Sequence, residues 1–596
     1  MRITELTIKN YRSFDPVGQT IKFPTIHCAL VGKNNAGKSN IFSALNLVLG
    51  DKNPSYIRFE EDDYHDTSNP IEIEIVIGGF QESDKNELFS IANYYLEKHR
   101  ISKEENKKKF LGALNQGIQR GTGKITLLLR KNNEYTSFDE SSTKDAEGSE
   151  DAFEINLWGW KVHRNKDDIR KSLIRMLLVP AVRDYKNELS ASKWTQYGQL
   201  MKSVLENSPK YAEIKSDLQD LNEKIQEVFK SEKEKLLKSA RIVSYVDDIS
   251  FQLTKENHPS ELLRNLEIFI REGSKLFNID YVGTGTQSAI IIGILELALK
   301  NKSTKNRVFC IEEPEAFIHP HGIRYLGNLI KSISNEQNTQ VIISTHSLSL
   351  TANFEPKEII KVNKEDGKTV IKQDPLFDVV HFRRFIHQDN AELFFSDRVI
   401  LVEGPTEKHL FNNLEKITKQ NPADPDSEDC NFDRINVGII RMNSVDSIIN
   451  YIKILSAFDI EYCAIVDKDF VIDPSKQNKL KELCTEIGVV YQNSNIPKLI
   501  NDFKSKNILI NIKGEIEDLF PDQDIANITG KDISDIQKIK SKYPNKTSKA
   551  FKELFGTGKA EYAIKIADYY IQNNITHPLE DIIRKLYKND ISNINF

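Results

Sequence analysis

A chain of 596 residues is too long for one hydrophobic core, so it predicts two to four domains. Its 39% hydrophobic and 28% charged residues describe a globular, charge-rich protein. With 82 basic against 87 acidic residues the net charge is −5, which argues against nucleic-acid binding by overall positive charge. Any such contact must come from a local basic patch, or from cations that bridge carboxylates to phosphates.

The opening MRITELTIKNYRSF alternates apolar and polar residues and lacks the apolar core of a signal peptide. No stretch reaches the ~18 apolar residues that span a bilayer. The cysteines (Cys28, Cys310, Cys430, Cys463, Cys484) are scattered and show no CxxC spacing. A disulfide framework or zinc site is not expected, and a reducing cytoplasm is the expected location.

The first 80 residues read as strand, strand, helix, strand: Ile3 to Ile8, Ile26 to Val31, Lys38 to Leu49 and Ile71 to Ile77. Another strand is predicted at Ile125 to Leu129, and residues 131–151 are polar and acidic enough to form a loop. From about Asp184 to Phe277, Lys, Glu, Leu and Ile dominate, with heptad-like fragments. They fit a solvated helical bundle or a helical insertion used for dimerisation, and we favour the second because apolar seams need a partner surface. Strand–helix alternation resumes at Gly283, with strands RVFCIEEPE and TQVIISTH and a closing hairpin over 357–373. A second α/β unit begins near Phe395, with strands Arg398–Val402, Arg434–Ile440 and Tyr462–Val466, and the last ~90 residues are helix-rich.

Residues Gly32-Lys33-Asn34-Asn35-Ala36-Gly37-Lys38-Ser39-Asn40 contain the full GxxxxGK[ST] pattern between a strand and a helix. Gly32 and Gly37 let the loop curl so that its N–H groups face phosphates, and the helix N-terminus adds its positive dipole end. Lys38 is expected to reach the β/γ-phosphates and Ser39 to ligate Mg²⁺. The strand ending in Glu312-Glu313 supplies partner acids: Glu312 for the Mg²⁺ shell, Glu313 for the attacking water. His346, at the end of the next strand, is positioned to sense a γ-phosphate. Gly283-Thr284-Gly285-Thr286-Gln287-Ser288 is either a helix-capping turn or a phosphate site completed by a second subunit. NYRSF, GKNNAGKSN, IEEPE and STHS together resemble the RecF/SMC/ABC-type ATPases. That resemblance implies ATP sandwiched between two heads.

Leu401-Val402-Glu403-Gly404-Pro405-Thr406-Glu407 reads as a strand, a turn and a helix start. Glu403 lies at the carboxyl end of its strand, where ligands of open α/β sheets collect. A second apolar strand, 64 residues on, ends in Asp467-Lys468-Asp469. If the strands are neighbours, Glu403, Asp467 and Asp469 cluster, and their repulsion predicts bound Mg²⁺ or Mn²⁺. This pattern resembles the Toprim domain, with Glu407 in the same motif. GEIEDL and GKAE then resemble the OLD (overcoming lysogenization defect) family of Toprim nucleases. That resemblance implies Glu517, and less directly Glu515, at a second metal, and Lys559 as a transition-state stabiliser. Phe59 with Asp62-Asp63-Tyr64-His65 is similar to a family segment as well.

The expected architecture is α/β: an ABC/RecF/SMC-like ATPase head, a helical dimerisation insertion, then a Toprim α/β domain with a helical C-terminal extension. The boundaries are 1–183 and 279–375 for the head, 184–278 for the insertion and 395–596 for the Toprim region. The implied activity is ATP-regulated, two-metal cleavage of double-stranded DNA by a homo-oligomer. The layout is similar to the nuclease subunit of the Gabija anti-phage system, which implies a UvrD-like helicase partner. A DNA-repair or structural clamp ATPase with a non-catalytic Toprim domain is the alternative.

Overall fold

The structure is a computed structural model. It describes residues 1–50, 59–98, 104–120, 124–131, 152–156, 173–179, 307–316, 320–376, 390–418, 430–492 and 495–594, a few single positions apart, and stretches within 201–230 and 269–283. The loop expected at 131–151 (Lys131 apart), the 284–288 signature, the apolar helix expected after it and most of the expected insertion lie outside the described residues. The chain divides into two compact units: Met1–Cys28 with Ser39–Thr345, and Ala29–Lys38 with His346–Phe596.

In the first unit, β1 (Arg2–Lys9) lies between β2 (Gln19–Lys22) and β4 (Ile71–Gly78), antiparallel to both. The expected alternation holds: Ile71, Ile73 and Ile75 are buried while Glu72 and Glu74 are half-buried. β2, which has only four residues, was not anticipated. β5 (Lys124–Lys131) and β6 (Ala152–Asn156) extend this sheet. β10 (Arg307–Glu312) runs parallel between β7 (Arg175–Val179) and β11 (Gln340–Thr345). Its VFCI core is fully buried, as a strand covered on both faces requires. Helices α1 (Lys38–Leu49), α2 (Lys85–Lys98), α3 (Glu104–Arg120), α4 (Tyr211–Val228) and α5 (Pro320–Gln337), and the hairpin of β8 (Phe269–Glu272) with β9 (Lys275–Asn278), complete its named elements.

In the second unit, β12 (Ile359–Glu365) pairs in parallel with β3 (His27–Val31) at Ala29 to Val31, and antiparallel with β13 (Lys368–Lys372). The hairpin expected over 357–373 is thus present. A parallel sheet follows, ordered β15 (Val437–Arg441), β14 (Arg398–Val402), β16 (Glu461–Asp467), β17 (Ile508–Asn511). β15 starts three residues later than expected, because the chain through Arg434 is still turning and Asn436 is left-handed at φ 54. β17 was not anticipated; its ILIN run is too short to stand out among helices. Between and after the strands run α6 (Pro405–Leu414), α7 (Ile448–Ala457), α8 (Gln477–Ile487), α9 (Ile496–Lys504), α10 (Asp522–Thr529), α11 (Ile533–Ser541), α12 (Thr547–Phe555), α13 (Lys559–Asn573) and α14 (Glu580–Tyr587).

One hydrophobic core joins the sheet residues Ile400, Val402, Cys463, Ile465 and Leu509 to Phe551, Tyr562, Ile566 and Ile583 of the last helices. At about 1.5–3 kcal/mol for each large apolar side chain removed from water, the C-terminal helices are integral to this fold. The Arg398 guanidinium adds a bond of 2.8 Å to the Leu586 carbonyl. All five cysteines are buried, and none is in a disulfide. Among the described residues no helix is long and apolar enough to cross a membrane.

Candidate active site

The parallel order of β14 and β16 brings their carboxyl ends side by side, and those ends carry Glu403 and Asp467-Lys468-Asp469. Pro405 opens α6 at a position that needs no amide hydrogen, so the chain turns sharply after Glu403. Glu407, on the first turn of α6, accepts the Gly404 amide at 3.1 Å. Glu517 lies on a single helical turn, Ile516–Leu519, after β17. Its carboxylate accepts the Tyr562 hydroxyl, and the Thr406 hydroxyl at 3.1 Å. Glu515 is committed to the start of α12: its carboxylate accepts the Ser548 amide at 2.5 Å and the Ser548 hydroxyl at 3.1 Å.

The electrostatics show that these groups share one place. Asp467 is pushed up to about 10, first by burial, then by Glu407, Glu403, Glu517 and Glu515. Glu407 rises to about 7, by burial and then Glu517. Glu517 is raised chiefly by burial, against the Tyr562 bond and Lys559. Glu403 is raised by burial and Asp469, while Lys476, Lys559 and the Asp467 amide oppose this. Burial by itself lowers Lys559, but Glu517, Glu407, Glu515 and Asp467 override it and hold the ammonium above its ordinary range. The expected residues Glu403, Glu407, Asp467, Glu515, Glu517 and Lys559 are therefore brought together. Asp469 joins them through its repulsion of Glu403.

The donor set fits a hard divalent cation: all oxygen, strongly acidic and unable to carry its full charge while buried. Two buried oxygens, Glu403 Oε2 and Asp469 Oδ1, have no hydrogen-bond partner among the described residues. Among the described residues no three ligand-type side chains converge as a finished coordination shell. Glu407 is turned to an amide, Glu517 to two hydroxyls and Asp469 to the Lys476 ammonium at 2.7 Å.

Sequence reasoning missed Thr406, Tyr562, Ser548 and Lys476, which hold these acids, and Asn511. Asn511 stands opposite Asp467 in the β16–β17 ladder, is fully buried, and has a side-chain Nδ2 without a partner among the described residues. Thr406 alone carried a signal, through the VEGPTE motif. The others sit in stretches whose pattern is ordinary helix or strand.

The glycine-rich loop has the shape its pattern predicts. A Cβ on Gly32, at φ +153, would lie 2.0 Å from the Val362 carbonyl oxygen, so only glycine fits. Asn35 and Gly37 also take positive φ. The Lys38 ammonium is held over the loop by the carbonyls of Gly32 at 2.9 Å and Lys33 at 2.8 Å. The Thr369 hydroxyl of β13 bonds the Ala36 carbonyl at 2.9 Å. Asn34 and Ser39 are exposed, and Asn40 donates to the Ser13 hydroxyl at 2.8 Å. In the first unit Glu312 ends β10, and Glu313 adopts a left-handed conformation at φ 41, its amide on the Ser344 carbonyl at 2.9 Å. The His346 ring lies 6.5 Å from the Phe395 ring.

Comparison with known proteins agrees with both halves. Residues 1–351 match the family described as AAA ATPase domain, and residues 394–469 match the overcoming lysogenization defect protein-like Toprim domain. The chain is 24% identical to the Old nuclease of Escherichia phage P2 over 504 residues, covering 79% of this chain and 78% of that protein. It is 25% identical to the OLD nuclease of Thermus scotoductus, covering 78% and 82%. It is 23% identical to endonuclease GajA of Bacillus cereus, covering 70% and 68%. The loop geometry, the acids gathered at the strand ends and these matches lead to one conclusion: the chain belongs to the AAA ATPase domain family and carries, from residue 394, an OLD-like Toprim domain.

Proposed function

We propose that this protein is an ATP-regulated, divalent-metal-dependent endonuclease of double-stranded DNA. The observation that carries the reading is the group of Glu403, Glu407, Asp467 and Glu517 around Lys559 at adjacent strand ends. Nuclease relatives that match most of the chain support it.

Glu403, Asp467 and Asp469 would hold one Mg²⁺ or Mn²⁺, and Glu407 and Glu517, with Glu515 as a weaker contributor, a second. Cations bound there supply the positive charge that binds a phosphodiester and acidifies water at neutral pH. Tyr562 and Thr406 orient Glu517, and Lys476 orients Asp469. Lys559 offers an ammonium to the charge that develops on the phosphate. Contacts of this kind read no bases, so the site by itself is indifferent to sequence.

Lys38, Ser39, Glu312, Glu313 and His346 are the proposed ATP and Mg²⁺ residues. Regulation is supported by three contacts at the root of β14, the strand whose other end precedes Glu403. Lys33 of the glycine-rich loop meets Asp397 at 2.5 Å, the buried Lys361 of β12 donates to the Ser396 carbonyl at 2.7 Å, and His346 faces Phe395. The resemblance to the Gabija nuclease subunit supports a homo-oligomer acting beside a UvrD-like helicase in anti-phage defence.

The test is nicking of supercoiled plasmid with Mg²⁺ or Mn²⁺, with and without EDTA. Asp467→Asn should abolish nicking while ATP binding, measured by calorimetry, stays intact. Full-rate nicking by that variant would falsify the metal-site assignment.

A further inference from the structure

We propose that the outer face of α12 is a phosphate-backbone platform that seats duplex DNA against the acidic group, with Lys546, Lys549 and Lys552 as its contacts. The inference rests on the nuclease reading above and names where its substrate lies.

A chain of net charge −5 with a carboxylate-lined site repels DNA unless one flank is locally cationic. Residues 531–559 are such a flank. They hold eight lysines (531, 538, 540, 542, 546, 549, 552, 559) against three acids (Asp532, Asp535, Glu553), a local charge of +5. The inner face of α12 is used up by folding, since Thr547, Ser548, Ala550, Phe551 and Leu554 are buried. Lys549 and Lys552 are exposed three residues apart, which keeps them along one side of the helix, and the exposed Lys546 immediately precedes its first turn.

Two observations separate this face from an ordinary solvated helix. Its lysines are not neutralised: none of the three takes part in an ion pair among the described residues, whereas Lys540 is held by Asp522 and Lys542 by Glu553. And the face is tied to the site. The Ser548 amide bonds Glu515 at 2.5 Å and the Thr547 hydroxyl bonds Asp518 at 2.5 Å, so the first turn of α12 abuts the acidic group. Lys546 also acts electrostatically on Asp473, four residues beyond Asp469. The strip thus begins at the site and leads away from it.

Six residues of helix rise about 9 Å, and successive phosphates of one strand lie about 3.4 Å apart along the duplex, so three lysines match about three phosphates. The exposed positions of α12 are Lys549, Lys552 and Glu553, with nothing apolar to enter a lipid layer, which favours a polyanion over a membrane surface.

The experiment compares the full chain with K546Q/K549Q/K552Q. Duplex binding is read by fluorescence anisotropy across a salt series, in an Asp467→Asn background so that nothing is cut. Nicking is read in the unaltered background. A second triple, K504Q/K506Q/K588Q, removes equal charge elsewhere. Lys506 lies just before β17, and Lys588 just after the α14 carbonyls held by Arg398, so both are near the amino ends of strands. The α12 triple should weaken binding at least tenfold at 0.1 M salt and flatten the log–log salt slope by about 2.7, at 0.9 per lost phosphate contact. The loss should be equal on two unrelated duplex sequences, and nicking should fall through KM rather than kcat. Unchanged affinity and slope, or an equal loss from the second triple, overturns the platform while nicking by the unaltered chain upholds the nuclease reading. A chain that neither binds nor nicks DNA ends both.

Discussion

Asp467 shares a buried space with Glu403, Glu407, Glu515 and Glu517, and burial with those neighbours pushes its carboxyl up to about 10. Such a group is balanced only by protons or by cations, and the ammonium groups of Lys559 and Lys476 are too little positive charge for these five acids and Asp469. His577 shows the opposite response. It is buried, bonds Thr418 at 2.9 Å through Nε2, and has an Nδ1 without a partner among the described residues. Burial lowers its pKa to about 4, with Glu580 opposing and Arg584 adding. Between about 4 and the ordinary value of 6.5 the folded chain binds fewer protons than the unfolded one, so stability is lost as pH falls through that window. The full effect is roughly 3 kcal/mol. His577→Gln should flatten the acid dependence of Tm measured by thermal denaturation between pH 7 and 5. Parallel curves for the two proteins would show that His577 does not carry it.

In the proposed regulation, β14 is the element through which the glycine-rich loop would act on the acidic group. Its residues are all buried and its flanking ladders are parallel, as a stiff strand that would carry a shift from its root requires. The three contacts at that root differ in strength. Lys33 and Asp397 are about half exposed, and such pairs contribute about 0–1 kcal/mol. Lys361 is 2% exposed, and burial lowers its pKa to about 8 despite nearby Asp397. Breaking its bond leaves the Ser396 carbonyl unpaired at a cost of about 1–3 kcal/mol. Lys361→Met should therefore leave ATP binding and metal-dependent nicking in place while the ratio of nicking rates with and without ATP moves to one. A ratio unchanged from the original chain would place the coupling elsewhere.

At the scale of the whole molecule the proposed assembly rests on the helical insertion expected over 184–278. Among its described residues, α4 exposes Leu221 and Val228, at 47% and 74% of their surface. Seven residues apart, they lie on one stripe of the helix, where a partner helix would cover them. Replacing 184–278 by a short linker should give monomers in sedimentation equilibrium. An oligomer that survives the deletion would assign assembly to another surface.

The order of the elements was readable because local physics writes it into the chain. The alternation of IEIEIVI, the apolar runs of RVILV and CAIV, and the glycine-rich loop each define a strand or turn within a few residues. The placement of Glu403, Asp467 and Asp469 at neighbouring strand ends was legible because the apolar runs that end there are visible in the sequence. The partners of these acids were not. Tyr562, Ser548 and Lys476 reach them from helices whose sequence records only which face is apolar, and Asn511 from a four-residue strand with no pattern of its own. The chain alone settled which residues carry charge and where strands end. Only the packing of distant segments decided which acids share a space, which are already bonded and which oxygens stay open, because those depend on side-chain directions and on burial that no local pattern encodes.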